Sequence, residues 1–362
     1  MPTFEERSRF QKRADAVECL AIINQKGGVG KTSTTANLGA ALALRGKRVL
    51  LIDMDPQAHL TTHFGLDEKA AESCIYEVLT CNLPLESAIY AYSEFVSIIP
   101  TRIDLAAAET ELVSVVGREV ILRDALAIRE LPFDLILLDC PPSLGVLTLN
   151  ALSAANRVLI PVQPHFLALQ GAGRLFETIA LVNQRLNAEL RVCGMIMCMY
   201  ESGTRLASEV IDDLSSFLES YRDQDVPWQH ARIFNTRIRR NIKLAECPSY
   251  GQSIFEYAPR SNGAVDHLAL ADELLELIEM PSSESVHNPK PTEESEPNVL
   301  DTPPPQPATT SITTLAMPGE RPLSPVVVPD NAMTFQENVA SVPIEPCDSS
   351  ASPTHSQDSL EP

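Results

Sequence analysis

The sequence predicts an α/β fold: a mainly parallel twisted sheet with helices on both faces, followed by a disordered C-terminal tail. Three observations carry this. The apolar run Leu20–Ile23 enters a glycine-rich turn, reaches Gly30-Lys31-Thr32, and continues as a helical pattern from Ser33 to about Leu44. Val49–Ile52 and Phe133–Leu138 are strongly apolar runs, as in strands buried on both faces, and they close on Asp53 and Asp139. Composition then changes abruptly after Met280, with 16 of the 28 prolines in 281–362 among many Ser, Thr and acidic residues. Such a segment buries too little apolar surface to offset its ordering entropy.

Strand, glycine-rich turn, Gly-Lys-Thr and helix, in that order, form the phosphate-binding loop of a P-loop nucleoside triphosphatase. Glycines let backbone N–H groups converge on phosphate oxygens, and the helix N-terminus adds a favourable dipole. The candidate nucleotide-binding residues are Gly27, Gly28, Val29, Gly30, Lys31, Thr32 and Ser33. Lys31 would reach the β- and γ-phosphates of ATP, and the Thr32 hydroxyl would sit on Mg²⁺. Gln25 stands where the loop's first glycine usually does, and Lys26 adds a second lysine. Lys26 is either a solvated surface residue or a second cation aimed at phosphates, including those of a neighbouring subunit. A dinucleotide fingerprint fits poorly, because Ser33 occupies its third glycine position.

In chain order, residues 1–17 read as a short polar arm and 18–280 as one α/β domain. Strand one covers about Glu18–Asn24, and Gly46 ends the helix after the loop. The second strand runs into Asp53-Met54-Asp55-Pro56-Gln57, which puts two carboxylates at the sheet edge where open parallel sheets bind ligands. Residues 67–95 read as helices and loops, and Val96–Pro100 as a short strand. Leu105–Val116 and Arg118–Arg129 read as amphipathic helices. Asp139 closes the next strand, where it would hold Mg²⁺ directly or through water. Arg157–Val162 and Arg191–Met199 read as buried strands, with a helix ending near Leu186 between them. Thr204–Tyr221 reads as a helix, Arg232–Asn235 as a short strand, and Ala264–Met280 as an acidic amphipathic helix. Strand–helix alternation of this kind implies a parallel sheet.

The net charge of −20 is unevenly spread: residues 281–362 hold 12 acidic and 2 basic side chains, so whole-chain charge says little about local patches. The eight cysteines are scattered without C-x-x-C pairs or a His cluster, which argues against a disulfide framework or zinc site and for a reducing cytosol. Cys140, Cys193 and Cys198 read as packing residues. No apolar signal segment or membrane span is expected.

Five separated stretches resemble the ParA/Soj-type partition ATPases of the MinD/ParA superfamily. They are Lys26–Thr32, Asp53–Gln57, Asp139–Gly145, Leu159–Gln163 and Arg240–Gly251, within a match from about 19 to 280. The loop with its early lysine is similar to that family's deviant Walker A motif. The resemblance implies an Mg²⁺-dependent ATPase that dimerises on ATP. Lys26 would then cross to the other subunit's nucleotide, Lys31 and Thr32 would serve their own, Asp55 would position or activate the attacking water, and Asp53 would support the metal shell. Met199–Ser202 and Pro248–Tyr250 become candidates for contacting the base.

The resemblance also implies non-specific DNA binding by the ATP dimer, a ParB-like activator, and a cytoplasmic protein that is nucleoid-associated when ATP-bound. Arg237, Arg239, Arg240 and Lys243 put four cations into seven residues, and Arg205 is a possible companion; such a stripe suits phosphate contacts. It has no interleaved aromatics, so base stacking is not indicated. Gly203 stands where a Soj-like arginine often sits. The alternative is a MinD- or flagellar-placement-type ATPase acting on membrane or another protein cargo. Against it, the last helix carries Asp266, Asp272, Glu273, Glu276 and Glu279 and no Lys or Arg, a poor match to anionic lipid.

Overall fold

The computed structural model describes residues 17–67, 71–127, 131–165 and 168–279. Most of the expected arm, Met280 and the expected tail lie outside the described residues. The chain runs β1 (Glu18–Ile22), α1 (Lys31–Leu44), β2 (Val49–Asp53), α2 (His59–His63), α3 (Ile75–Thr80), β3 (Tyr90–Ala91), β4 (Val96–Ile99), α4 (Leu105–Glu111), α5 (Ile121–Ala127) and β5 (Leu135–Asp139). It continues with α6 (Val146–Ala154), β6 (Arg157–Val162), α7 (Ala168–Arg185), β7 (Arg191–Tyr200), α8 (Arg205–Glu219), β8 (Arg232–Arg239), α9 (Ile242–Glu246), α10 (Ile254–Tyr257) and α11 (Asn262–Glu279).

Eight strands form one sheet in the order β3-β4-β2-β5-β1-β6-β7-β8. All neighbours are parallel except β3 and β4. Each central strand alternates between two cores because successive side chains point to opposite faces. Cys19, Ala21, Leu50, Ile52, Ile136 and Leu138 join α3 to α8 on one face. Leu20, Ile22, Val49, Leu51, Leu135 and Leu137 join α1, α2 and α11 on the other. Helices therefore cover both faces, as the apolar runs imply.

Several boundaries differ from the sequence reading. The short β3 was not expected within 67–95; it is a two-residue antiparallel edge on β4. The helix expected over 105–116 stops at Glu111 and tightens into a 3₁₀ turn. The next helix starts only at Ile121, after Gly117 turns the chain at φ 75°. Strand β8 runs four residues beyond the expected Asn235. Its register explains why: β7 advances from Met195 to Met197 while β8 advances from Ile233 to Arg237. The extra residues bulge out of the ladder, and Glu273 of α11 accepts the displaced N–H groups of Asn235 (2.8 Å) and Thr236 (2.9 Å).

The acids of α11 are largely engaged by the chain itself. Asp272 pairs with Arg45, Glu279 with Lys47, and the buried Asp266 with Arg239. Another tie connects α2 to the segment after α9. Gly65 (φ 69°) and Gly251 (φ 65°) meet backbone to backbone; a Cβ on Gly251 would lie 2.9 Å from the Gly65 Cα. Only glycine fits both the left-handed conformation and that approach.

Candidate active site

The loop between β1 and α1 is anchored at its start, where the Asn24 amide donates to the Pro161 carbonyl of β6 (2.7 Å) and accepts the Lys26 N–H (3.0 Å). Gly28 (φ 73°) and Gly30 (φ 99°) take left-handed conformations, which is why glycine is needed there. An added Cβ on Gly27 or Gly28 would meet nothing within 4 Å, so the exposed loop is open at these positions. Val29 is buried and anchors the loop against the core. Thr32 and Ser33 follow Lys31 into the first turn of α1.

Lys31 is only 7% exposed, and its Nζ donates to the Lys26 carbonyl at 3.4 Å. Burial lowers its proton affinity, while the carboxylates of Asp139 and Asp55 act in the opposite sense. Lys26 is exposed and has no ion-pair partner among the described residues. One loop thus presents two lysines of different character: one inside among acids, one on the rim.

Parallel pairing sets Asp53 directly beside Asp139 at the carboxyl ends of β2 and β5. Both are wholly buried. Burial raises Asp139 to about 7, against the effect of the Thr32 hydroxyl, Lys31 and Thr35. Burial and then the charge of Asp139 raise Asp53 to about 8. Asp139 Oδ1 accepts from the Thr35 hydroxyl (3.1 Å), but its buried Oδ2 has no partner. An orphaned carboxylate oxygen costs free energy unless something fills its place. Asp53 is differently placed: its Oδ1 accepts the Asp55 N–H (3.2 Å), and its Oδ2 accepts the Thr61 N–H (2.9 Å) and hydroxyl (2.8 Å).

Asp55 follows on a tight turn, 8% exposed, with its Oδ1 accepting the Gln57 N–H at 3.0 Å. The turn closes through Ala58, which donates its N–H to the Asp55 carbonyl (2.9 Å) and sits at φ 54°, an uncommon conformation for a residue with a side chain. Beside the start of α1 opens a cleft of about 390 Å³, lined by Gly30, Ser33, Thr34, Cys198, Met199 and Asn241 among others. Thr35, Thr61 and Asn241 were not singled out by the sequence. Thr35 carries a signal in hindsight, since it lies one helical turn after Lys31 and faces the same acid.

Comparison with known proteins shows the family. Residues 17–192 match a family model described as an AAA domain. Soj of Bacillus subtilis, a sporulation initiation inhibitor protein, is 43% identical over 256 residues, covering 70% of this chain and 97% of Soj. The chain belongs to the ParA/Soj family. The chromosome-partitioning ATPase Soj of Treponema pallidum is 40% identical over 259 residues, covering 71% of this chain and 96% of that protein. Among solved structures, cobyrinic acid a,c-diamide synthase of Mycobacterium smegmatis with bound ADP and magnesium aligns at TM-score 0.61 and 36% identity. That alignment covers 72% of this chain and 94% of the synthase.

ATP and Mg²⁺, the nucleotide and metal of such ATPases, fit the residues present. The open glycine loop and Lys31 suit phosphates. The unpartnered Asp139 Oδ2 and the Thr32 hydroxyl are hard oxygen donors of the kind Mg²⁺ takes. Cys140 is wholly buried and Cys193 and Cys198 are core residues, as the sequence implied; among the described residues no cluster of three or more His, Cys, Asp or Glu side chains is gathered to hold a metal. Among the described residues no helix is long and apolar enough to cross a membrane.

The basic stripe runs along β8 and α9, and two of its cations, Arg239 and Arg240, line the same cleft. Each of its cations has a neighbour of its own. Arg239 makes a multidentate pair with Asp266 of α11, at 2.6 Å for the shortest contact. Arg240 pairs with Glu201 (3.0 Å), Lys243 with Glu246 (2.8 Å) and Arg205 with Glu209 (2.8 Å). Arg237 donates to the Tyr200 hydroxyl (2.6 Å) and stacks over its ring (4.5 Å). The fold thus brings an aromatic ring to the stripe from β7, although none is interleaved in sequence.

Proposed function

We propose that this chain is an ATP-hydrolysing dimerisation switch that binds DNA non-specifically and drives chromosome or plasmid partitioning with a ParB-like partner. The observation that carries the reading is the division of labour between the two loop lysines. Lys31 is buried among the acids that serve its own nucleotide, whereas Lys26 stands exposed and unpaired on the rim. An ammonium so placed is available to the γ-phosphate of a second chain. A contact made only in the ATP dimer gives the differential free energy any nucleotide switch requires.

Within one site, backbone N–H groups from Gly27 to Gly30 and the Lys31 ammonium would hold the phosphates. Thr32 and Asp139 would hold Mg²⁺, which neutralises phosphate charge when bound. Asp53 would support that shell through the Asp55 loop. Asp55 would orient the attacking water and accept its proton. The base would occupy the cleft beside Met199 and Asn241, whose volume suits a small ligand.

For DNA, exposed ion pairs contribute little free energy, so phosphates can displace Glu201, Glu246 and Glu209 from Arg240, Lys243 and Arg205. Arg237 is exposed beside Tyr200 and is equally free to turn outward. Arg239 differs, because its carboxylate is buried and ties β8 to α11. We therefore place phosphate contact on Arg205, Arg237, Arg240 and Lys243, with Arg239 holding the strand that carries them. The double substitution Arg237→Glu/Lys243→Glu, at two cations outside the lining of the cleft, should weaken ATP-dependent DNA retention, reduce its log–log salt slope by about 2, and leave ATP affinity unchanged. DNA affinity equal to that of the parent chain at low salt would remove this stripe from the reading.

A further inference from the structure

We propose that Thr61 is a positioning residue for hydrolysis: it holds Asp53, which in turn holds the loop that carries Asp55. This deepens the hydrolytic reading above and rests on it.

Asp53 ends β2 with no exposed surface, next to a second buried carboxylate, Asp139. Burial beside a second acid disfavours the charged form of Asp53, and hydrogen-bond donors offset that while fixing the carboxyl group's orientation. Thr61 supplies two of them to one oxygen, its backbone N–H at 2.9 Å and its hydroxyl at 2.8 Å. The other Asp53 oxygen accepts the Asp55 N–H at 3.2 Å, which fixes the first peptide of the hydrolytic turn. The Thr61 hydroxyl is itself fixed, because it accepts the Thr101 N–H (2.9 Å) beyond the end of β4. Thr61 and Thr101 are both wholly buried.

A chain of hydrogen bonds thus runs Thr101–Thr61–Asp53–Asp55, from the rigid sheet to the turn. A backbone N–H alone would satisfy the second Asp53 oxygen. The added hydroxyl does what the N–H does not: it links Asp53 to the end of β4, because it accepts the Thr101 N–H while it donates to the acid. The turn so held includes Ala58 in its left-handed conformation, a shape that persists only where its surroundings determine it. With both its oxygens occupied, Asp53 acts on the backbone of the loop, and Thr61 acts through Asp53.

Thr61→Val keeps the shape of the side chain and removes both its donor and its acceptor; Thr61→Ser keeps both. For the full chain, Thr61→Val should lower kcat for ATP by about tenfold or more, with KM and the affinity for a non-hydrolysable ATP analogue within about twofold of the parent. Thr61→Ser should restore kcat. Asp53→Asn, a second route to the same loosening should Thr61→Val not fold, should also lower kcat selectively. Asp55→Ala, measured alongside, separates the two levels of the account. If Asp55→Ala turns over like the parent, the hydrolytic reading itself fails. If Asp55→Ala is inactive while Thr61→Val or Asp53→Asn keeps the parent kcat, the positioning role is overturned. Equal losses in Thr61→Val and Thr61→Ser would also overturn it, since the hydroxyl would then be irrelevant.

Discussion

Asp55→Ala is expected to slow ATP turnover by about a hundredfold or more while ATP still binds, because a positioned base commonly contributes that much. The geometry separates Asp55 from the groups that hold phosphate. It stands on the turn after β2, not on the glycine loop, and the Gln57 N–H fixes its Oδ1 at 3.0 Å. Its Oδ2 takes no hydrogen bond from the described residues. Removing the carboxylate leaves the turn itself standing, since Asp53 Oδ1 and the Ala58 N–H hold the backbone of residue 55. A carboxylate is a weak base, so the loss reflects mainly the orientation of water. Phosphate release, with nucleotide affinity measured in parallel, checks this. Turnover at the parent rate would remove Asp55 from catalysis.

Lys31→Ala is expected to cost about ten- to a hundredfold in ATP affinity, the equivalent of a lost charge-assisted hydrogen bond at a buried site. Lys31 is the buried cation that faces Asp139 and Asp55. Without it a triphosphate would enter beside acids with no ammonium to offset them. Asp139, already raised to about 7 by burial, would lose one of the groups that favour its charged form. Calorimetric titration with Mg-ATP reads the effect, and affinity within threefold of the parent would contradict it. Lys26→Ala tested in the same way should bind ATP almost normally, because Lys26 lies outside this cluster.

These two effects were legible in the sequence because their chemistry is local. A glycine loop needs its glycines in one stretch, and strands buried on both faces write themselves as apolar runs such as Val49–Ile52 and Leu135–Leu138. The acids that close those strands fall at the ligand edge as a consequence of topology. What the sequence left hidden was set by contacts distant along the chain. β8 extends to Arg239 because it pairs with β7 and because Glu273, 37 and 38 positions away, caps its bulge. A segment rich in cations has no periodicity to announce that. Thr61 and Thr101 look like any threonines until the fold sets them against Asp53. The same holds for the stripe: Asp266, Glu201 and Tyr200 become neighbours of Arg239, Arg240 and Arg237 only when β7, β8 and α11 come together. The acids of the last helix, read only as a poor match to anionic lipid, turn out in several cases to hold the chain to itself.

In the proposed function the switch depends on the exposed Lys26, and the mass of the ATP-bound protein tests that proposal most directly. Sedimentation of the slow-hydrolysing Asp55→Ala chain should give a dimer with Mg-ATP and a monomer with ADP. Adding Lys26→Ala to the same chain should give a monomer with both nucleotides, while ATP remains bound. A dimer that persists with ATP in the absence of Lys26, or one that forms equally well with ADP, would contradict the account.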